Sequence, residues 1–253
     1  MEYTKGYVAF IDILGFSNLV SNVESAEQVK KLFEFVEKFR YFYNTSPELN
    51  VKVAFFSDSI VLTTDNQENF TMLLSAIWVA ESFLKENTKL YFRGGISKGL
   101  YYNEAGVAFG PAIVNSYKLE NKAIYSRIII DDEIAVNYDE DDFLIIKDSD
   151  GKYCFNPFSI GLLRNTSELN KEELTKSMEE EREILIDTIL ENFYTDFIDK
   201  YLWRIKPFNK MCDLLPKICE EYNYSFDSAD MQRWKNLRIS LKEIEDKSKR
   251  IVK

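Results

Sequence analysis

The stretch "YVAFIDILGFSNLV", Tyr7 to Val20, opens as an apolar strand, stops on a carboxylate and turns at once through a glycine. A carboxylate among apolar groups is costly unless something neutralises it. Asp12 therefore needs a basic side chain, a helix N-terminus or a metal ion. The residues after it, Gly15-Phe16-Ser17, offer main-chain N–H groups at the entry to a helix, a cradle suited to phosphate oxygens.

Working outward, Gly6 to Ile13 is the first strand, and Val29, Leu32, Phe33, Val36 and Phe39 mark a helix over about Glu24–Asn44. Val51–Phe56 and Ser59–Thr64 read as a β-hairpin around Ser57-Asp58-Ser59. Asn69–Glu86 is an amphipathic helix, and Leu90–Leu100 a strand interrupted by Gly94 and Gly95. A loop through Asn103 and Gly106 leads to Gly110-Pro111, which begins a helix to about Asn121 with proline in the first turn. Tyr125–Asp131 is a strand, Asp132–Tyr138 a short helix or turn, and Phe143–Lys147 with Tyr153–Phe155 a terminal hairpin. This β-α-β-β-α-β-α-β order predicts an α+β fold with a ferredoxin-like, antiparallel-rich sheet covered by helices. From about Thr166 the strand signal vanishes. The expected organisation is a domain over 1–160 and an all-helical extension over 161–253, whose acidic run Glu179–Glu181 reads as a solvated face.

Composition narrows the chemistry. The 253 residues contain 45% hydrophobic and 29% charged residues, the balance of a soluble globular protein. No apolar run is long enough for a membrane span, and the start MEYTKGYVAFID lacks a signal-peptide cleavage pattern, so a cytoplasmic location is expected. A net charge of −10 opposes a nucleic-acid surface. Cys154, Cys212 and Cys219 form no CxxC pair, and the latter two fall on one helical face as core residues. Histidine is absent altogether. That removes imidazole bases, the usual Ser and Cys triads and most zinc sites. Any reaction must use carboxylates, Lys, Arg, hydroxyls and hard metal ions held by oxygen.

Asp58, at the hairpin tip, is the second carboxylate that interrupts an apolar context. In a ferredoxin-like topology the hairpin neighbours the first strand, so Asp12 and Asp58 meet at one sheet edge. Two close carboxylates repel unless a cation bridges them, and oxygen-only ligation favours Mg²⁺ or Mn²⁺. Alone, each Asp reads more readily as a turn or helix-capping residue; the two together balance that reading with a metal site.

"FIDILGFS" followed by "FFSDSIVLT" resembles the paired metal motifs of class III nucleotidyl cyclases, with the two aspartates 46 positions apart. "RGGISKG" (Arg93–Gly99) and "GPAIVNSYKLE" (Gly110–Glu120) resemble that family's later strand and dimer-facing helix, and the combination is especially similar to the Pycsar antiphage pyrimidine cyclases. The resemblance covers about residues 5–135. It implies a site in which Asp12, Asp58 and the Ile13 carbonyl hold two Mn²⁺ or Mg²⁺ ions on a nucleoside triphosphate. It further implies nucleotide contacts from Phe10, Gly15, Phe16, Ser17, Ala54 and Arg127, and catalytic roles for Arg93, Asn115 and Lys118, the latter pair supplied across a homodimer.

The chain departs from the family pattern at several positions. Lys118 stands where classical members have Arg and lacks its planar fork. Val114 takes the Asn position, with Asn115 next to it. Ala54 and Val107 occupy the purine-selecting positions and cannot hydrogen-bond a purine edge, which is compatible with a pyrimidine. The expected activity is conversion of UTP, or CTP, to the cyclic mononucleotide in antiphage defence. The alternatives are a catalytically degenerate nucleotide-binding or regulatory module and, lacking a GGDEF-type signature, a dinucleotide-forming polymerase-palm relative. No nucleic-acid or membrane partner is expected.

Overall fold

In the computed structural model, residues 2–16, 26–45, 50–65, 70–139, 142–159 and 171–251 are described, and the chain divides into two units, Met1–Phe155 and Asn156–Lys253.

The first unit is built on the opening strand, β1 (Thr4–Ile13). Helix α1 (Ala26–Thr45) follows, then the hairpin β2 (Lys52–Phe56) and β3 (Ser59–Thr64), helix α2 (Phe70–Thr88) and strand β4 (Phe92–Glu104). Their order in the sheet is β2-β3-β1-β4, every neighbour antiparallel. That is the split βαβ arrangement of a ferredoxin-like fold, with β1 central because two βαβ units interleave. Strands β6 (Ile128–Ile130), β8 (Tyr153–Phe155) and β7 (Ile145–Lys147) extend the sheet beyond β4, β6 running parallel to it.

Period-two alternation along β1 gives the sheet two different faces. Tyr7, Ala9, Ile11 and Ile13 are buried, and Tyr7 stacks against Phe70 of α2 with ring centroids 5.0 Å apart. Phe39 of α1 meets Phe55 of β2 on the same side at 5.1 Å. The even residues Val8, Phe10 and Asp12 face helix α3 (Pro111–Glu120). This helix lies unusually close to the sheet because small residues meet under it. A Cβ on Gly95 would stand 2.3 Å from the Ser116 carbonyl oxygen, so no other residue fits there. Ser97 Oγ donates to the Ala112 carbonyl at 2.7 Å, and Ser116 Oγ lies 2.9 Å from the Val8 carbonyl. These bonds satisfy hydroxyls that burial would otherwise make costly.

The expected loop through Asn103 is instead strand. β4 continues to Glu104 and turns through Ala105-Gly106 into β5 (Val107–Phe109), which pairs back on it. Asn103 is buried there, its amide donating to Thr63 Oγ1 at 3.0 Å, so its polarity did not mark a loop. A one-turn helix α4 (Asp132–Ala135) is capped by Asp131.

The second unit is helical throughout its described elements: α5 (Lys171–Glu191), α6 (Ile198–Leu202), α7 (Ile205–Glu221), α8 (Ser228–Leu237) and α9 (Leu241–Ile251). Phe208, Met211, Cys212, Leu215, Ile218 and Cys219 form the buried stripe of α7. Asp227 and Asp230 make a capping box that starts α8. The acidic run is not wholly solvated, because Arg233 of α8 grips Glu179 at 2.8 Å as well as Glu172 at 2.9 Å. No described helix is long and apolar enough to cross a membrane.

Candidate active site

Register brings the predicted carboxylates together. Asp12 sits opposite Ser59 on one side and Arg93 on the other. The Ile13 amide donates to the Asp58 carbonyl at 3.1 Å, which pins the hairpin tip to the end of β1. The Asp58 carboxyl consequently neighbours that of Asp12 closely enough to push its pKa up. Ser57 holds this tip with φ +58°, a left-handed conformation that costs a non-glycine residue free energy. Gly15 turns the chain after β1 with φ +85°, a value glycine adopts freely.

The partner that Asp12 requires is in place. Arg93 Nε donates to Asp12 Oδ2 at 2.9 Å, and its Nη2 reaches Glu120 Oε1, at the end of α3, at 3.1 Å. Arg93 is thus no lone surface charge; it bridges two carboxylates on two elements. Glu120 was not singled out from the sequence, since a glutamate ending a helix usually faces water. The signal was its spacing: Ala112, Ser116 and Glu120 recur every fourth residue on the buried side of α3.

One arginine serves two carboxylates, and the balance is visible in the protonation of Asp12 and Glu120. Burial pushes Asp12 above the ordinary carboxylate range; the bond and charge of Arg93 oppose this, and neighbouring Asp58 adds to it. Glu120 is likewise raised, first by burial, with Arg93 pulling the other way and Asp12 and Asp58 adding repulsion. The cluster is short of positive charge.

The other expected residues divide. Phe10 packs edge-on against Tyr117 at 5.4 Å, beside the site on the α3 face. Gly15 and Phe16 follow Asp12 directly, whereas Ser17 lies outside the described residues. Just before the proposed cradle, the amides of Ile13 and Leu14 are committed to the Asp58 and Tyr91 carbonyls. Asn115 and Lys118 are exposed on α3, and neither is bonded to the Arg93–Glu120 pair. Lys118 forms no ion pair with a described residue, and a role at Asp12 of the same chain does not follow from this placement.

Two expectations are corrected. Arg127 is only 2% exposed; its Nη1 and Nη2 are held by Asp148 at 2.5 Å and Asp150 at 2.7 Å. Its Nε has no partner among the described residues but is buried with the rest of the side chain, so no edge of the guanidinium faces solvent. Ala54 is buried in a small cluster with Val8, Val61, Tyr101, Ala112 and Ile113, so its methyl packs the sheet instead of lining a base pocket.

Among the described residues no three acidic or cysteine side chains converge in a metal-binding arrangement. Asp12 and Asp58 alone supply a pair of adjoining carboxylates, a donor set that fits a hard divalent ion completed by other oxygens.

No protein-family model and no curated protein matches the chain. Solved structures do show likeness. The adenylyl cyclase CyaB from P. aeruginosa is 16% identical, with a TM-score of 0.41, over 53% of this chain and 80% of that one. The monomeric guanylyl cyclase domain of a RhoGC fusion protein from Blastocladiella emersonii is 16% identical, TM-score 0.47, over 61% of this chain and 96% of that one. The guanylate cyclase domain of RhGC from Catenaria anguillulae, in complex with GTP, is 14% identical, TM-score 0.43, over 61% and 95%. At these identities and scores the likeness says nothing about substrate.

Proposed function

We propose that the first unit is a metal-dependent nucleotidyl cyclase that converts a pyrimidine nucleoside triphosphate, UTP ahead of CTP, into its 3′,5′-cyclic monophosphate and pyrophosphate. One observation carries this reading: two adjoining carboxylates, Asp12 and Asp58, at a sheet edge where, among the described residues, Arg93 is the cation paired with Asp12. Sequence motifs in the order and spacing of class III cyclases support it. In the reaction the ribose O3′ bonds to the α-phosphorus, the α–β bridging P–O bond breaks, and the hydroxyl proton leaves to solvent.

Asp12, Asp58 and the Ile13 carbonyl are the groups that would hold Mn²⁺ or Mg²⁺, two ions by the resemblance. Such ions supply Lewis acidity toward phosphate oxygens and a lowered pKa at the attacking hydroxyl. The chain's own contribution is positioning and charge. Gly15 lets the backbone turn close to the phosphates, and Phe10 with Tyr117 gives the flank of the site an aromatic surface. The exposed side of α3, with Val114 and Tyr117 each 50% exposed beside Asn115 and Lys118, suits contact with a second copy. A homodimer with Asn115 and Lys118 acting across the interface is therefore part of the proposal, as are a cytoplasmic location and a role in antiphage defence. Those last two parts rest on resemblance and composition.

A second reading, a nucleotide-binding module without turnover, has its own observation: Arg93 already neutralises Asp12. Incubation with Mn²⁺ and each of the four ribonucleoside triphosphates, with products identified by mass spectrometry, separates the two. Cyclic UMP or cyclic CMP is the expected product. Binding of UTP without any cyclic product would establish the second reading, and neither binding nor product in a folded protein would overturn both.

A further inference from the structure

Glu120 is almost wholly buried at the end of α3, and Arg93 is the cation that meets it. The helix that carries it cannot yield, because Ser116 and Ala112 are bonded against β1 and β4 and Gly95 leaves no gap beneath them. The carboxylate also stands where the helix backbone is itself partly negative. Arg93, by contrast, has a side chain 32% exposed, and it spans from this fixed point to Asp12. A single cross-strand ion pair to a side chain that is a third exposed holds its partner only modestly. The second grip, from Glu120, is what keeps the guanidinium on Asp12.

We propose that Glu120 is a positioning residue that parks Arg93 on Asp12, so that Arg93 is a built-in occupant which a divalent cation must displace. This rests on the reading of Asp12 and Asp58 as metal ligands. Its consequence is a threshold: the site fills only when cation, or cation with triphosphate, outcompetes the guanidinium. Arg93, once displaced, is free to face the incoming phosphates, so one residue serves both states.

The proposal makes a prediction of unusual sign. Glu120 is an anion near the metal site, so its direct charge favours a cation there. Removing it should weaken Mn²⁺ binding if charge alone matters. If Glu120 acts through Arg93, Glu120→Gln releases the guanidinium and Mn²⁺ binds more tightly.

Mn²⁺ affinity is measured by electron paramagnetic resonance on the full chain, without nucleotide, after circular dichroism confirms folding. Glu120→Gln is expected to tighten Mn²⁺ about 3- to 10-fold, the range of a released surface pairing reinforced by a second contact. In an Arg93→Gln background the same change should give no tightening, because there is nothing left to release. Arg93→Lys offers a second route if Glu120→Gln does not fold. It keeps the charge but loses the fork that spans both carboxylates, and should also tighten Mn²⁺. Weaker Mn²⁺ binding in Glu120→Gln, or tightening that persists without Arg93, would overturn the parking role while leaving the metal site intact. Mn²⁺ binding that is absent, or unaffected by Asp58→Asn, would overturn the metal assignment itself and the proposal with it.

Discussion

Two arginines in the first unit are each held by two carboxylates, and they come from neighbouring places in the sheet. Arg93 is on β4; Arg127 immediately precedes β6, and its carbonyl accepts from the Gly94 amide. Around Arg127 the charges close. Its side chain is 2% exposed, Asp148 also accepts from the Ser149 amide, and the Arg127 bond holds Asp150 below the ordinary carboxylate range. Around Arg93 they do not close: Asp12 and Glu120 share one guanidinium beside the like charge of Asp58, and burial raises Asp12 and Glu120 despite it. The same ingredients give a buried structural cluster in one place and an anionic surplus in the other. Groups whose protonation is shifted in this way cluster at functional sites, and structural pairs shift it too.

The sharpest way to break this contrast is to remove each centre in turn. Arg127→Met leaves the Asp148 carboxylate buried without its cation and should cost about 3–5 kcal/mol of stability. Urea denaturation measures this, and a loss under 1 kcal/mol would show that the Arg127 cluster is not structural. Asp58→Asn should do the reverse. Cyclase turnover falls about 10²- to 10³-fold, as when a charge-stabilising group is lost, while the thermal midpoint holds or rises because Asp12 is relieved of a like charge. Unchanged turnover would remove Asp58 from the site.

How much of this was legible beforehand follows from what sequence patterns encode. Alternation in "YVAFIDI" fixes which residues share a face, and antiparallel register then sets Asp12 beside both the Asp58 tip and Arg93. The fold and the meeting of the two carboxylates were therefore readable. Burial was not. Arg127 and Arg93 look alike as basic residues on strands, and only the return of the chain at Asp148 and Asp150 decides that Arg127 is enclosed. Ala54 was misplaced for a related reason, since a small residue in a hairpin carries no mark of what covers it. Glu120 was hidden because its partner lies on another element, 27 positions away in the chain. Helical spacing placed it on the inner side of α3, but no local pattern tells a buried terminal glutamate from a solvated one.

The two clusters should also answer acid in opposite directions. Asp150 has a lowered folded pKa, so its contribution is present above the unfolded value of 3.8 and is lost as pH falls through the folded one. Glu120 is raised above 4.5, so its charge destabilises the fold above the folded pKa, and that penalty is relieved on acidification. Asp150→Asn should accordingly lower the thermal midpoint at pH 7 and converge with the parent once the pH has fallen below the folded pKa of Asp150. Glu120→Gln should raise it at pH 7, with the difference closing as the pH falls below the ordinary glutamate value of 4.5. Parallel curves across that range would mean the two centres do not differ in their charge balance.

The smallest effect concerns the turn that presents Asp58. Ser57 sits at φ +58° as the first central residue of a two-residue hairpin, a position where glycine is the unstrained choice. Relief of that conformation is partly offset by the extra freedom glycine gives the unfolded chain. Ser57→Gly should thus stabilise the protein by only about 0.5 kcal/mol. The informative readout is turnover. If the strained serine holds the Asp58 carboxylate against Asp12, Ser57→Gly lowers turnover several-fold while stability rises; if turnover and stability rise together, the hairpin register alone sets the tip.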